Sequence, residues 1–173
     1  MDSKGCVLNS SVSVTAPPQI VSSITTIEPT CNGFCDGQFN LNVSGGIPNY
    51  TFNWSNNTQN QNATSLCKGN YSVIITDNNG CKDTATAFLN EPSPVILTVS
   101  NDTSICNNDM AKIFAAATGG NQGNYTFNWI NSSLSGPGPH YVTPPQNLCY
   151  KVFAQDSKGC TSNTDSICVT YPP

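Results

Sequence analysis

The 173-residue chain contains no arginine. Lysine supplies all six positive charges against ten acids, for a formal net charge of −4. Phosphate neutralisation needs a basic patch, so this balance excludes an ordinary nucleic-acid binder. No apolar run approaches the ~20 residues of a membrane-spanning helix. The residues that fill long helices are scarce, with two glutamates, six lysines and seven leucines. Catalytic constellations are also missing. The single histidine, His140, sits in a Pro/Gly stretch without a patterned partner. No Gly-x-Ser-x-Gly elbow occurs, and a paired-carboxylate site would need two acids that only the fold could bring together. The chain is expected not to be an enzyme.

What is present is uncharged polarity: 23 Asn, 19 Ser and 18 Thr, with only 9% charged residues. Fifteen aromatics and many Val and Ile alternate with these polar residues, which excludes disorder. Phe39, Leu41 and Val43 alternate with Gln38, Asn40 and Asn42. Tyr50, Phe52 and Trp54 alternate with Thr51 and Asn53, and Tyr71, Val73 and Ile75 follow the same period of two. Such segments read as strands half-buried in a sandwich. Gly, Pro and Asn clusters separate them, and about seven strands per unit in two packed sheets are expected. Asp77-x-x-Gly80 fits a type I turn joining Tyr71–Thr76 to Thr84–Phe88 as a hairpin.

The chain repeats itself. Tyr50-Thr51-Phe52-Asn53-Trp54 returns unchanged as Tyr125-Thr126-Phe127-Asn128-Trp129, Cys31 maps to Cys106, and Cys6 maps to Cys81, each at an offset of 75 residues. Gly45-Gly46 maps to Gly119-Gly120. Asp2-Ser3-Lys4-Gly5-Cys6 returns as Asp156-Ser157-Lys158-Gly159-Cys160, with Asp77 to Cys81 as the middle copy. The expected organisation is a remnant of a preceding repeat at 1–17, a complete repeat at 18–92 and a more divergent one at 93–173. Proline-rich joins lie at Ala16-Pro17-Pro18 and Asn90-Glu91-Pro92. Residues 2–6 carry no apolar export segment, so a mature product or an excised piece of a longer protein is expected.

Nine cysteines at this density read as a disulfide framework in an oxidising compartment. Zinc is the weaker reading: Cys31 and Cys35 have tolerable spacing, but no second close pair or His-x-x-x-His follows. Four cysteines in the first unit allow three connectivities.

Residues 31–92 resemble a known family. The run Cys-Asn-Gly-Phe-Cys-Asp-Gly leads to Val-Ser-Gly-Gly-Ile-Pro-Asn-Tyr-Thr-Phe-Asn-Trp, then Leu-Cys-Lys-Gly-Asn-Tyr-Ser-Val-Ile-Ile-Thr-Asp-Asn-Asn-Gly-Cys, closing on Asn-Glu-Pro. It is similar to the SprB-type repeat of giant surface adhesins in gliding and related Bacteroidota. The second unit resembles the same family or the PKD-like modules beside it, but lacks counterparts of Cys35 and of Lys68-Gly69-Asn70 and adds Cys168. The resemblance implies tandem immunoglobulin-like (Ig-like) sandwiches, export by the type IX secretion route, and a place on the extracellular cell surface in a long adhesin or filament. Partners would then be neighbouring repeats of the same chain, with surface polysaccharide or other subunits as alternatives.

The resemblance also favours disulfides Cys31–Cys81 and Cys35–Cys67. Repeat equivalence extends this to Cys106–Cys160, which leaves Cys149–Cys168, and Cys6 is expected to find its partner upstream. On this scheme Trp54 and Trp129, with Phe52, Phe127, Tyr50 and Tyr125, are core residues rather than stacking platforms for sugars. Asp36, Asp77, Asp83, Asp102, Asp109, Asp156 and Asp165 could supply calcium oxygens. No Asp-x-Asp-x-Asp loop appears, so no cofactor is expected and calcium is a secondary possibility. Asn-x-Ser/Thr sequons occur at Asn42, Asn49, Asn53 and Asn124. Thr84 and Ser166, each after an aspartate, match a short O-glycosylation pattern of Bacteroidota. The expected role is a mechanically stable spacer; the alternatives are a surface module that binds carbohydrate or protein, and a self-assembling filament subunit in which residues 1–17 pair with a neighbour's sheet edge.

Overall fold

The computed structural model describes residues 11–106 and 109–172. All regular structure there is β: β1 Val21–Ile27, β2 Gly37–Ser44, β3 Thr51–Trp54, β4 Ala63–Leu66, β5 Gly69–Thr76 and β6 Lys82–Leu89 precede the Asn90–Pro92 join. After it come β7 Ser93–Val99, β8 Thr103–Ser104, β9 Ala111–Ile113, β10 Ala115–Gly120, β11 Thr126–Ile130, β12 His140–Val142, β13 Leu148–Gln155 and β14 Asp165–Thr170.

The first six strands form two facing three-stranded sheets, β1-β2-β4 and β3-β5-β6. Period-two sequence puts one phase of each strand between them. Phe39 and Leu41 from one sheet meet Trp54, Val73 and Ile75 from the other, all about 1% exposed or less. The Phe39 and Trp54 rings stack at 5.8 Å, and Tyr71 meets Phe39 edge-on. Asp77 opens the β5–β6 turn, whose Gly80 N–H reaches the Asp77 carbonyl at 3.0 Å, and the hairpin register starts at Thr76↔Lys82.

The later strands repeat this arrangement. β11-β13-β14 corresponds to β3-β5-β6. β7 pairs with β10 as β1 does with β2, and β12 pairs with β9 as β4 does with β2. Their core centres on Ile113, Trp129, Val152, Ala154, Ile167 and Val169. Among the described residues six strands lie before the join and eight after it, where about seven each were expected. Two differences explain this. The counterpart of β2 is broken at the exposed Phe114, whose N–H and carbonyl turn to Ser100. In addition, Thr103–Ser104 adds a parallel edge strand to β14. The equivalent of Ser104 in the first unit is Pro29, which has no N–H to offer a ladder.

Trp54, Trp129 and Phe127 are buried. Tyr50, Phe52 and Tyr125 are half-buried, packed against the cores rather than within them. The two tyrosines have a bonding role instead: each donates its hydroxyl to the first glycine carbonyl of its own Gly-Gly loop, Tyr50 to Gly45 and Tyr125 to Gly119.

Candidate functional site: the joint between the sandwiches

Each sandwich has one end built from a Gly-Gly loop, a buried aspartate and a Gly-Cys turn. In the second, Asp156 is 6% exposed. Its Oδ2 accepts from the Asn121 N–H (2.8 Å) and Nδ2 (3.0 Å), and its Oδ1 from the Lys158 and Cys160 N–H groups (2.8 and 2.9 Å). In the first, Asp77 does the same, with Oδ2 taking the Ile47 N–H (2.9 Å) and Oδ1 those of Asn79 and Cys81 (2.9 and 2.8 Å). One carboxylate thus ties a loop to a hairpin turn and fixes the backbone of the cysteine. Burial opposes ionisation of Asp156, but the N–H groups of Asn121, Cys160 and Lys158 outweigh it and hold the carboxyl at about 2. Asp77 is likewise held below the ordinary carboxylate value, chiefly by the Ile47 N–H, with burial opposing.

The second glycine of each loop is obligatory. Gly46 and Gly120 have φ of 61° and 59°. A Cβ there would lie 2.9 Å from Asp77 Oδ2 and 2.5 Å from Asp156 Oδ2. Both the left-handed backbone and the close approach of the carboxylate require glycine.

The Asp156 end faces the first sandwich, and the two are covalently joined there. Cys31 is bonded to Cys160, with Cα atoms 5.5 Å apart. Cys31 packs into the core cluster of the second sandwich, not the first. Asn121 Nδ2 donates to the Thr30 carbonyl at 2.9 Å across the same boundary. The join is gripped from the other side. Glu91 accepts from Asn32 Nδ2 (3.0 Å) and the Gly33 N–H (2.8 Å), Asn32 also reaches the Pro92 carbonyl, and Lys68 pairs with Glu91 at 3.5 Å. A cleft of about 290 Å³ remains between the units, walled by Asn32 and Phe34 on one side and by Pro94, Val95 and Thr161 on the other.

The other two bridges among the described residues are internal. Cys35–Cys67 ties the start of β2 to the end of β4, and Cys149–Cys168 links directly opposed residues of β13 and β14. The expected pairs Cys31–Cys81 and Cys106–Cys160 are corrected: Cys81 and Cys106 are exposed free thiols. Geometry is the reason. Cys31 follows β1 at the Gly37 end of β2, whereas Cys81 lies beside the Gly45-Gly46 loop at the opposite end. β2 spans eight residues, roughly 26 Å at ~3.3 Å per residue, and a disulfide needs Cα atoms within about 7 Å. Likewise Cys106 lies beyond the Thr170 end of β14, where Ile105 N–H meets the Thr170 carbonyl, while Cys160 precedes the start of that strand. Cys6 lies outside the described residues.

The remaining candidates separate in space. Trp54 and Trp129 are 1% and 6% exposed, so neither indole offers a face to a sugar. Their N–H groups donate to the Asn60 and Gly136 carbonyls. His140 begins β12 and meets the Trp129 ring edge-on at 5.2 Å. Thr84 is exposed on β6 and Ser166 half-buried on β14. The acids are dispersed. Asp36 accepts from the Thr30 N–H and hydroxyl, Asp83 from Ser22, and Asp102 from the Cys168 N–H. Among the described residues no three His, Cys, Asp or Glu side chains group as a metal site, and no helix is long and apolar enough to cross a membrane. Asn121, Thr30, Asn32 and Glu91 were not singled out from sequence. Their only signal is position beside the repeated cysteines and the proline join.

Residues 23–59 match the family model described as SprB repeat. The match covers part of the resembling stretch and lies within the first sandwich. No curated protein matches the chain. Among solved structures, the three N-terminal domains of the bacteriophage RB49 Highly Immunogenic Outer Capsid protein (Hoc) align with a TM-score of 0.57 at 13% identity, over 88% of this chain and 59% of that one. The I-band fragment I67–I69 from titin aligns with a TM-score of 0.50 at 13% identity, over 91% of this chain and 66% of that one. This chain therefore spans about three fifths of the phage fragment. At such identities the likeness shows the fold alone, and that fold is all-β and Ig-like. Residues 23–59 are thus similar to the SprB repeat, and the disulfides fit an extracellular repeat module.

Proposed function

We propose that this chain is a load-bearing spacer of a long cell-surface adhesin or filament, built from repeats at 18–92 and 93–173 and the end of a preceding repeat at 1–17. The observation that carries the reading is the covalent shortcut from Cys31 to Cys160, which spans a sequence separation of 129 residues. Tension entering at one terminus runs through β1 to Cys31, crosses the disulfide, and leaves through β14. Twelve of the fourteen strands lie inside the closed loop, and only β1 and β14, with the core residues Ile20, Ile167 and Val169, lie outside it, so force cannot lengthen the enclosed strands while the bond holds. The buried Asp156 and the Glu91 grip keep the joint in one geometry, as a spacer of defined reach needs. The family resemblance supports a gliding-type adhesive role, delivery by the type IX route, and an extracellular, non-catalytic setting.

Single-molecule pulling between the termini tests this. Under oxidising conditions the chain should extend only outside the loop. With reductant it should gain roughly 400 Å more, from about 129 residues at up to ~3.6 Å each. Equal extension in both conditions contradicts the spacer mechanism.

A further inference from the structure

Cys81 repeats the setting of Cys160 without its partner. Both follow an Asp-x-x-Gly turn, and both N–H groups are held by the buried aspartate at 2.8 and 2.9 Å. Cys106 repeats the setting of Cys31: the N–H three residues on reaches the cysteine carbonyl at 3.1 Å in each, from Phe34 to Cys31 and from Asp109 to Cys106. A cleft of about 170 Å³ lies open beside Cys81, walled by Pro18, Gln19, Ile20 and Lys82. By the 75-residue offset, Pro18, Gln19 and Ile20 correspond to Ser93, Pro94 and Val95, which wall the cleft beside Cys160. There the facing wall is visible: Cys31, Asn32 and Phe34 close the far side of the cleft. The two free thiols are exposed and lie at opposite ends of the molecule, with the closed joint between them.

We propose that Cys81 and Cys106 are the two open halves of this same joint, so that two copies of the chain join head to tail through a Cys106–Cys81 disulfide. The partner that closes the Cys81 cleft is the Cys106 end of a second copy. The oxidant is a low-molecular-weight disulfide such as oxidised glutathione. One thiol, deprotonated, attacks its sulfur and releases one glutathione thiolate, which takes up the proton. The second protein thiolate then displaces the other glutathione, which is protonated in turn. The balance is two protein thiols and one glutathione disulfide giving one protein disulfide and two glutathiones. One element differs from the closed joint. Ile47 stands where Asn121 stands, so no side-chain amide crosses this boundary. The covalent bond is then the main fixture, and joining should be reversed by reductant.

The inference extends the spacer reading to its partner, yet its test is separate: copies can fail to join while the Cys31–Cys160 shortcut still resists pulling. The chain, with Cys6→Ser to remove that thiol, is incubated with oxidised glutathione and analysed by non-reducing electrophoresis and peptide mapping. Cys81→Ser and Cys106→Ser are added separately and mixed. Unchanged thermal unfolding of each variant establishes folding. The parent should form a reductant-sensitive ladder whose dominant linkage is Cys81–Cys106. Each single variant should stay monomeric, and their mixture should yield dimer. The proposal is overturned by a parent that stays monomeric, by Cys81–Cys81 and Cys106–Cys106 pairs at their statistical share, or by single variants that dimerise as readily as the mixture.

Discussion

The two sandwiches use the same local code to different ends. In each, a Gly-Gly loop, a buried aspartate and a Gly-Cys turn build one end of the module, and tyrosine and tryptophan donate to equivalent loops. In the second sandwich that end is occupied: Cys160 is bonded to Cys31 and Asn121 reaches Thr30. In the first it is open, with Cys81 exposed and Ile47 in place of the asparagine. The aspartate motif therefore preorganises the cysteine whether or not a neighbour is present. The neighbour decides the bond.

The largest effect should come from the cores, where the two halves are most alike. Trp54→Ala and Trp129→Ala each remove a buried indole and should each cost about 3–5 kcal/mol. Because the cores are separate clusters, calorimetry should show only the mutated half losing stability; equal destabilisation of both would mean one fused unit. Next comes the bridge peculiar to the first half. Cys35 and Cys67 are 32 residues apart, and replacing both by serine should cost that half about 3–4 kcal/mol on the chain-entropy estimate. Gly46→Ala and Gly120→Ala should each cost about 1–3 kcal/mol, from the left-handed backbone together with the crowded carboxylate. A null effect at either glycine would break the equivalence of the two loops.

Acid sharpens the comparison further. The Asp156 carboxyl is depressed to about 2 in the folded protein, against about 3.9 unfolded. Its stabilisation is full above pH ~4 and is lost as pH falls towards 2. Asp156→Asn should flatten acid unfolding of the second half over that window, and an unchanged profile would contradict the role given to the carboxylate. The smallest effect is expected at the boundary. Asn121→Ile makes the second joint resemble the first and should cost about 1–2 kcal/mol, from the lost bonds to Thr30 and to the Asp156 carboxylate. It should be read as increased amide exchange around Thr30 rather than as a change in either core.

Much of this was legible in the residues. The period of two placed Phe39, Leu41, Val73 and Ile75 inside, Asp77 and Gly80 announced their turn, and the offset of 75 aligned the two halves. The half-burial of Tyr50, Phe52 and Tyr125 was not legible, because alternation marks a face but not how far a residue on β3 or beside β11 lies from the centre of the sheet. The joint was hidden for a deeper reason. Repeat equivalence says that Cys31 resembles Cys106 and that Cys81 resembles Cys160, but it is silent on whether partners sit in one repeat or in consecutive ones. That depends on which end of the sandwich each turn occupies, hence on strand direction over a distance of a whole strand. Asn121 and Glu91 were hidden with it, since their meaning comes only from facing Thr30 and Asn32.

Peptide mapping of the oxidised chain under non-reducing conditions tests the central claim most directly. The account predicts one linked pair carrying Cys31 and Cys160, beside Cys35–Cys67 and Cys149–Cys168. A linked pair carrying Cys31 and Cys81 would place each bridge within its own repeat and contradict it.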